Sequence, residues 1–138
     1  MKKRLIDTDI LSYYFKEEPV IVRRVNGYLE ECDFLTISSI TCFEILSGLR
    51  KIHSAKREKE FLEFCQEHEI LGFNMEESLQ AGKTYAELQK KGMPLSVADI
   101  FIASIALVNG CVFVTNNVRH FSRIEGLEIE NWLEKGIN

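Results

Sequence analysis

The sequence predicts an α/β fold in which helices cover both faces of a central parallel sheet. Two observations support this prediction. Short apolar runs bounded by turn-forming residues alternate with longer segments of helical periodicity along the whole chain. The first and last runs, residues 4–6 and 111–115, are almost continuously apolar, as expected for strands buried on both faces. Parallel strands need crossover helices, and we expect these crossovers to be right-handed.

The individual elements follow from local signals. Strands are predicted at residues 4–6, 34–37, 69–73 (the weakest candidate) and 111–115. Helices are predicted after Asp9, from Pro19, after the Ser38–Ser39 pair, over 54–68, from Asn74 to Gly92, and from Ser96 to Gly110. Proline suits the first turn of a helix, Asn74 and Glu77 have the spacing of a capping box, and Gly92 followed by Pro94 ends a helix.

Composition limits the class of protein. A chain of 138 residues with 46% hydrophobic and 28% charged residues fits one globular domain, residues 1–138. We expect the basic N-terminal residues not to introduce a signal peptide, because Asp7 and Asp9 interrupt the apolar segment that one requires. No run approaches the length of a transmembrane helix, so we expect a cytoplasmic protein.

Cysteine, histidine and net charge exclude further classes. The four cysteines include no CxxC pair and are expected to be reduced core thiols, and the three histidines have no metal-ligand spacing. A net charge of −4 argues against nonspecific nucleic-acid binding by bulk electrostatics. It leaves open an enzyme whose acidic site holds cations that meet phosphates.

Two carboxylates follow the first strand. Asp7 falls at the carboxyl end of that strand, where open α/β sheets place their ligands. Asp9 lies just before a helical segment and is equally a candidate N-cap. Asp7 has no such local explanation.

Two more carboxylates lie in predicted helices. Glu44 has mostly small neighbours at helical spacing, which leaves room for an ion or substrate; the alternative is a capping box with Thr41. Asp99 lies in the first turn of the most apolar helix. Burying an unpaired carboxylate there costs on the order of several kcal/mol. The alternative role of Asp99 is to bind first-turn amides near Ser96.

A set of three or four carboxylates with little nitrogen or sulfur is typical of a hard cation such as Mg²⁺ or Mn²⁺. Acidic clusters of this kind recur in nucleases, where metal ions activate water and stabilise the leaving oxygen. We therefore expect Asp7, Glu44 and Asp99, with Asp9 nearby, to meet in one site.

Four segments in this order resemble the PIN domain, and more narrowly the VapC-type toxins of bacterial toxin–antitoxin pairs: LIDTDIL at 5–11, SSITCFEILSGL at 38–49, ADIFIA at 98–103 and VTNNVRHF at 114–121. The resemblance covers essentially the whole chain. It implies a three-layer α/β/α sandwich and a Mg²⁺-dependent endoribonuclease, with Mn²⁺ as a substitute ion. It also implies a homodimer, an RNA substrate such as tRNA or another structured RNA, and a small VapB-like antitoxin.

The same resemblance assigns residues. Asp7, Glu44 and Asp99 match the three acids that serve as catalytic and metal-binding residues, with Glu44 orienting or deprotonating the attacking water. The supporting residues implied are Asp9, Thr115, Asn116 and Asn117. The chain departs from the pattern where the family frequently carries a fourth acid, because Asn117 occupies that position, and a subgroup's downstream acid is replaced by His120. An amide supplies no charge, so one metal ion is favoured over two.

Two other functions compete with this one. A phosphatase of the haloacid dehalogenase class also begins with a strand followed by D-x-D, as in Asp7-Thr8-Asp9, but it needs a downstream lysine, a paired-acid motif and a cap that this chain is short for. A catalytically weak PIN-like module that binds protein or RNA is favoured by Asn117 and the acidic composition. Retention of three acids argues against it, because an abandoned site would gain stability by losing buried charges.

Overall fold

The computed structural model describes residues 1–134. Each strand is separated from the next by one or two helices, in agreement with the predicted mixture of strands and helices. The strands are β1 (Arg4–Ile6), β2 (Thr36–Ser38), β3 (Glu69–Leu71), β4 (Val112–Val114) and β5 (Ile129–Glu130). The helices are α1 (Thr8–Phe15), α2 (Pro19–Glu31), α3 (Ser39–Lys51), α4 (Ala55–Glu67), α5 (Met75–Lys90), α6 (Val97–Val108) and α7 (Val118–Phe121).

The five strands form one parallel sheet in the order β3-β2-β1-β4-β5. One hydrophobic core packs α5 and α6 against one face of the sheet, and a second packs α1, α2 and parts of α3 and α4 against the other. The fold is therefore an α/β/α sandwich, and the predicted fold class is confirmed. None of the helices within residues 1–134 has the length and apolar character needed to span a membrane.

The sheet order brings the carboxyl ends of β1 and β4 side by side. β1 is central and pairs with β4 in register, with Ile6 opposite Val114. The residues that follow these strands, Asp7 and Thr115, are therefore neighbours although they lie far apart in sequence. β2 lies on the other side of β1, and α3 begins directly after it.

Helix boundaries correct one prediction. Asp9 is not the N-cap of α1, because the helix starts at Thr8 and the strand leads into it without a loop. Asp7 is the N-cap, with extended backbone angles and a side chain that accepts from the backbone N–H of Thr8. Asp9 lies in the first turn instead, where a carboxylate complements the positive end of the helix.

Other boundaries differ at the level of single residues. β2 covers Thr36–Ser38 and not 34–37, and Phe34 is left exposed. β5 and α7 were not predicted because each is very short. The sequence places Phe43 at apolar helical spacing with Leu46 and Leu49, which predicts that it is buried. Phe43 is instead 67% exposed, because the fully buried residue of α3 is Thr41. Leu62 of α4, which the same kind of spacing predicts to be buried with Phe61 and Cys65, is also exposed.

Candidate active site

Asp7 is the most deeply buried acid of the site. Its residue is 6% exposed, and both carboxylate oxygens are held by donors. Oδ1 accepts from the backbone N–H of Thr8 at 2.8 Å, and Oδ2 accepts from the Thr115 hydroxyl at 2.7 Å. The backbone N–H of Asp7 donates to the Val114 carbonyl at 2.8 Å, which continues the β1–β4 ladder. Two neighbouring strands therefore fix this carboxylate.

Burial and neighbouring acids disfavour the ionised form of Asp7. Its pKa is raised to about 8, first because of burial and then because the carboxylate of Asp9 lies beside it. The charge of Asp99 raises this pKa by a smaller amount, and the hydrogen bonds from Thr115 and Thr8 lower it. A carboxyl of this kind gains a proton or a positive ion far more readily than one in water.

Asp9 is tied to the loop after β4. Its Oδ1 accepts from the backbone N–H of Ile10 at 2.7 Å, and its Oδ2 accepts from the backbone N–H of Asn116 at 3.1 Å. Burial raises the pKa of Asp9, against the lowering effect of these two hydrogen bonds. The Asn116 side chain in turn accepts from the Asn131 amide at 3.0 Å, so the turn after β4 is held from both sides.

Glu44 joins the site through a hydroxyl. It lies one turn into α3, and its Oε1 accepts from the Thr8 hydroxyl at 2.6 Å. The alternative capping box with Thr41 is not formed, because α3 already begins at Ser39 with Ser38 as its N-cap. The carboxylate of Glu44 therefore points toward α1 and is free for the site.

Asp99 lies in the first turn of α6 and is partly buried. Its backbone N–H donates to the Ser96 hydroxyl at 3.2 Å, so Ser96 caps the helix and the Asp99 side chain is not needed for capping. Its charge is close enough to affect the pKa of Asp7. The Asp99 carboxylate therefore lies near enough to Asp7 for the two charges to repel each other.

The four acids share an excess of negative charge. None of Asp7, Asp9, Glu44 and Asp99 takes part in a salt bridge among residues 1–134. Over the same part of the chain, no three acidic, histidine or cysteine side chains approach closely enough to form a metal-ion cage. The structure therefore places the predicted residues around one turn, Asp7 to Asp9, without closing them into a complete ligand set.

The oxygen donors nevertheless fit a divalent cation. Carboxylates that repel one another and lack a basic partner are stabilised by a hard cation, which prefers oxygen ligands. Asp7, Asp99 and Glu44 would hold such an ion, with Asp9 beside them. The raised pKa of Asp7 is the observation of this structure that fits an ion at this position.

The remaining predicted residues lie in the turn after β4. Thr115 is fully buried and contacts Asp7 directly, while its hydroxyl oxygen accepts from the backbone N–H of Asn117 at 3.0 Å. The Asn117 side-chain oxygen is hydrogen-bonded to the His120 ring and is not directed at the acids by any contact of its own. Asn117 thus supports the turn through its backbone.

A groove opens from the site. A cavity of about 740 Å³ lies between α1, α3 and α4, and Thr8 and Glu44 form the end nearest the acids. Phe15, Phe61 and Phe64 contribute an aromatic cluster to its wall, with ring centroids 5.1–6.0 Å apart. The groove is also lined by three acidic side chains, Glu60, Glu63 and Glu67, and by two basic ones, Lys16 and Arg57.

Sequence reasoning missed the hydroxyl residues that connect the acids. Thr8 lies between Asp7 and Asp9 and contacts both Asp7 and Glu44, through its backbone N–H and its hydroxyl respectively. Thr41 and Ser38 stand behind it. A hydroxyl residue enclosed by two aspartates was a usable signal, but the contact to Glu44 depends on packing between two helices.

Comparison with known proteins gives the class. A family model for the PIN domain matches residues 4–127, and the chain belongs to this family. The resemblance inferred from the four segments is confirmed.

Two curated relatives are similar to this chain over nearly its full length. The chain is 34% identical to the tRNA(fMet)-specific endonuclease VapC of Salmonella typhimurium, covering 96% of this chain and 99% of that protein. It is 33% identical to the ribonuclease VapC2 of Haemophilus influenzae, covering 96% and 100%.

Solved structures agree with these relatives. DNA-bound VapBC from Salmonella typhimurium superposes with a TM-score of 0.84 at 35% identity, covering 96% of this chain and 99% of that one. VapBC-1 from nontypeable Haemophilus influenzae gives 0.83 at 31% identity, covering 95% and 98%. Both the predicted family and its VapC-type branch are thus matched over nearly the full chain.

Proposed function

We propose that this chain is a Mg²⁺-dependent endoribonuclease toxin that acts in the cytoplasm and is neutralised by a small VapB-like antitoxin. The observation that carries the proposal is the Asp7 carboxylate, which is buried beside Asp9 and within the field of Asp99, without a basic partner in residues 1–134. The two hydrogen bonds that Asp7 accepts, from the N-terminus of α1 and from Thr115, fix its position but do not neutralise its charge. Relatives named as VapC ribonucleases support the reaction.

Each acid has a separate task in phosphodiester cleavage. When bound, Mg²⁺ would neutralise the phosphate and lower the pKa of a water in the site. Asp7 and Asp99 would hold the ion, and Glu44 would orient the attacking water or accept its proton. Asp9 and the backbone of Asn116 hold the turn after β4 beside this position. With Asn117 in place of a fourth acid, we propose a single ion.

Cleavage of a labelled structured RNA tests the proposal. With Mg²⁺ present, the wild type should cleave, while Asp99→Asn and Glu44→Gln should lose about 100-fold or more, the range seen when a group that stabilises the transition state is removed. EDTA should abolish cleavage, and Mg²⁺ or Mn²⁺ should restore it.

The matched control is Asp33→Asn, which removes an exposed carboxylate between α2 and β2. It should cleave as the wild type does. Equal activity in all variants, or none in any, would favour the PIN-like binding module. An acyl-phosphate trapped on Asp7 would instead favour the phosphatase.

Melting provides a test of the ion that does not depend on RNA. Binding to the folded state alone stabilises a protein by about 2.7 kcal/mol when the ligand is at 100 times its dissociation constant. Mg²⁺ should therefore raise the melting temperature of the wild type and have a smaller effect on Asp99→Asn. A melting temperature that ignores both Mg²⁺ and Mn²⁺ would contradict a preformed ion site.

The RNA target needs a search in cells. One relative is named as specific for tRNA(fMet), and we propose tRNA or another structured RNA as the substrate class here. Sequencing RNA ends after brief expression of the wild type should show new ends concentrated in few RNAs. The same experiment with Asp99→Asn should lack them.

The antitoxin has a candidate docking place in the groove. Structures similar to this chain are VapBC complexes. The groove combines an aromatic wall with an excess of acidic over basic side chains, which suits a basic amphipathic segment of the partner. Its acids are Glu44, Glu60, Glu63 and Glu67, and its bases are Lys16 and Arg57. We expect that segment to reach the site where Glu44 closes the groove.

Substitutions in the groove test whether the antitoxin binds there. Glu63→Lys and Phe15→Ser should weaken co-purification with the product of an adjacent antitoxin-like reading frame, while Glu31→Lys on α2 should not. Both groove variants should keep RNA cleavage, because neither residue contacts the four acids. Unchanged binding in both would place the partner elsewhere.

We also propose a homodimer. Met75 and Leu79 lie one turn apart on α5 and are 73% and 69% exposed, which is unusual for large apolar side chains on the same helix face. Light scattering should report a dimer for the wild type and a shift toward monomer for Leu79→Lys. Gln89→Lys introduces the same charge at an exposed position of α5 and should leave the dimer intact.

A further inference from the structure

We propose that Thr8 is a positioning residue for RNA cleavage, whose hydroxyl fixes the direction of the Glu44 carboxylate. The inference rests on the proposed nuclease function and deepens it. Thr8 contacts two acids that come from different elements: its backbone N–H donates to Asp7 and its side chain donates to Glu44. It thus joins the β1–α1 turn to α3.

The hydroxyl contacts form a short chain. Thr8 Oγ1 lies 2.6 Å from Glu44 Oε1 and 2.9 Å from Thr41 Oγ1. Thr41 Oγ1 lies 3.3 Å from Ser38 Oγ, which also accepts from the backbone N–H of Thr41 at 3.0 Å. Ser38 and Thr41 are both fully buried, so water does not compete for the bonds between these two residues.

The donor and the acceptor of each of these hydrogen bonds can be assigned from the acids and hydroxyls involved. An ionised carboxylate is acceptor-only, so the single hydroxyl proton of Thr8 must go to Glu44. Thr8 then accepts from Thr41, and Thr41 accepts from Ser38. The proton order is Ser38 to Thr41 to Thr8 to Glu44, and no member has a second proton with which to reverse it.

The geometry matches positioning better than simple satisfaction of a hydroxyl. Thr8 is the first residue of α1, so no preceding helical turn offers a carbonyl to its hydroxyl. The hydroxyl donates to a charged side chain on another helix, in a bond of the length expected for a charge-assisted hydrogen bond. The cap of α1 is Asp7, so Thr8 is not required there. Its hydroxyl acts on Glu44.

Removal of the hydroxyl at constant shape tests the inference. Thr8→Val should lower kcat for structured RNA by about tenfold to 100-fold, because misplacement of a reacting group by ~1 Å costs as much as 100-fold. KM for RNA should change little, since the hydroxyl proton of Thr8 is already donated to Glu44. Thr8→Ser keeps the donor and should recover most of the lost kcat.

A second variant changes the hydrogen bond that Thr8 accepts, and not the one that it donates. Thr41→Val keeps the Thr8–Glu44 bond but removes the donor behind it, and should lower kcat by a smaller factor. The matched control is Ser47→Ala, since Ser47 is exposed on α3 and bonds the backbone carbonyl of Glu44, not its carboxylate. It should leave kcat unchanged. Melting curves show which variants are folded.

The outcomes are decisive in each direction. Wild-type kcat in Thr8→Val, or equal losses in Thr8→Val and Thr8→Ser, would overturn the positioning role while the nuclease function stands. If Thr8→Val does not fold, an unchanged kcat in Thr41→Val overturns it instead. A wild-type protein that cleaves no RNA with Mg²⁺ would remove both the function and this inference.

Discussion

The two ends of β1 hold acids in opposite ways. At its start, Arg4 forms two contacts with Glu130, 2.6 Å from Nη2 to Oε2 and 3.3 Å from Nε to Oε1. The Trp132 indole N–H donates to the same carboxylate at 3.1 Å. These bonds, that from Arg4 above all, lower the pKa of Glu130 against the effect of burial.

After its other end, Asp7 is held by a hydroxyl and an amide and by no cation of the protein within residues 1–134. Its pKa is raised to about 8, whereas that of Glu130 is lowered. The two acids therefore have different effects on the fold. The surroundings of Glu130 stabilise its ionised form, whereas burial and Asp9 make the ionised form of Asp7 costly to the folded protein. A cost of that kind is expected where a ligand will bind.

The largest expected effect is on activity at Asp7. Asp7→Asn should lower RNA cleavage by about 100-fold or more, because it removes a charge that the transition state needs. In EDTA at pH 8 the same variant should melt at a higher temperature than the wild type, because it removes a buried and repelled carboxylate. Cleavage rates and calorimetry measure the two.

A loss of activity together with a gain in melting temperature would confirm that Asp7 and Glu130 have different roles. An Asp7→Asn protein that loses stability in EDTA would contradict this difference, because Asp7 would then stabilise the fold as Glu130 does. Asp33→Asn serves again as the control and should change neither quantity.

The second prediction concerns pH in the metal-free protein. The folded-state pKa of Asp7 is above its value in the unfolded chain, so the folded protein binds a proton that the unfolded chain has released. Its contribution to stability is therefore fully present below pH 4 and is lost as pH rises toward 8. The slope cannot exceed about 1.4 kcal/mol per pH unit for one group.

Denaturant unfolding in EDTA from pH 4 to 8 measures this slope. The difference between wild type and Asp7→Asn cancels the titrating groups that do not interact with Asp7. Asp9 does interact with it, so the difference reports the titration of the Asp7–Asp9 pair. A difference that stays constant with pH would show that Asp7 is ionised in the folded protein throughout this range.

Much of the fold follows from the sequence. Apolar runs and the caps at Ser38, Ser96 and Gly92 determine where the longer elements begin and end, because these signals are local. β5 is two residues long and is defined by pairing with β4, so nothing in its own sequence announces it. Phe43 fits the apolar periodicity of α3 and is exposed, because periodicity does not say which face meets the sheet.

The candidate site was predictable at its acids and not at their connections. Asp7 follows a buried strand, and Asp99 and Glu44 are carboxylates in apolar or small surroundings, which the sequence shows directly. The Thr115–Asp7 bond depends on β4 lying next to β1, and the Thr8–Glu44 bond depends on how α1 meets α3. Both are consequences of tertiary packing, which a single sequence does not encode in any local pattern.

The smallest expected effect is at the other end of β1. Glu130→Gln should lower the free energy of unfolding by about 1 kcal/mol at pH 7, because it removes a carboxylate that a bidentate arginine stabilises. The Glu130 side chain is 35% exposed, so solvent screening keeps the loss small. This stabilisation is present above the unfolded-state pKa of Glu130 and is lost as pH falls through its lowered folded-state value.

Urea unfolding at pH 7 and pH 3 should show the difference between wild type and Glu130→Gln shrinking at the lower pH, while RNA cleavage stays unchanged. Glu128→Gln, which breaks a more exposed pair with Lys2, should cost less at either pH. A Glu130→Gln protein that gains stability at pH 7 would place Glu130 in the same class as Asp7.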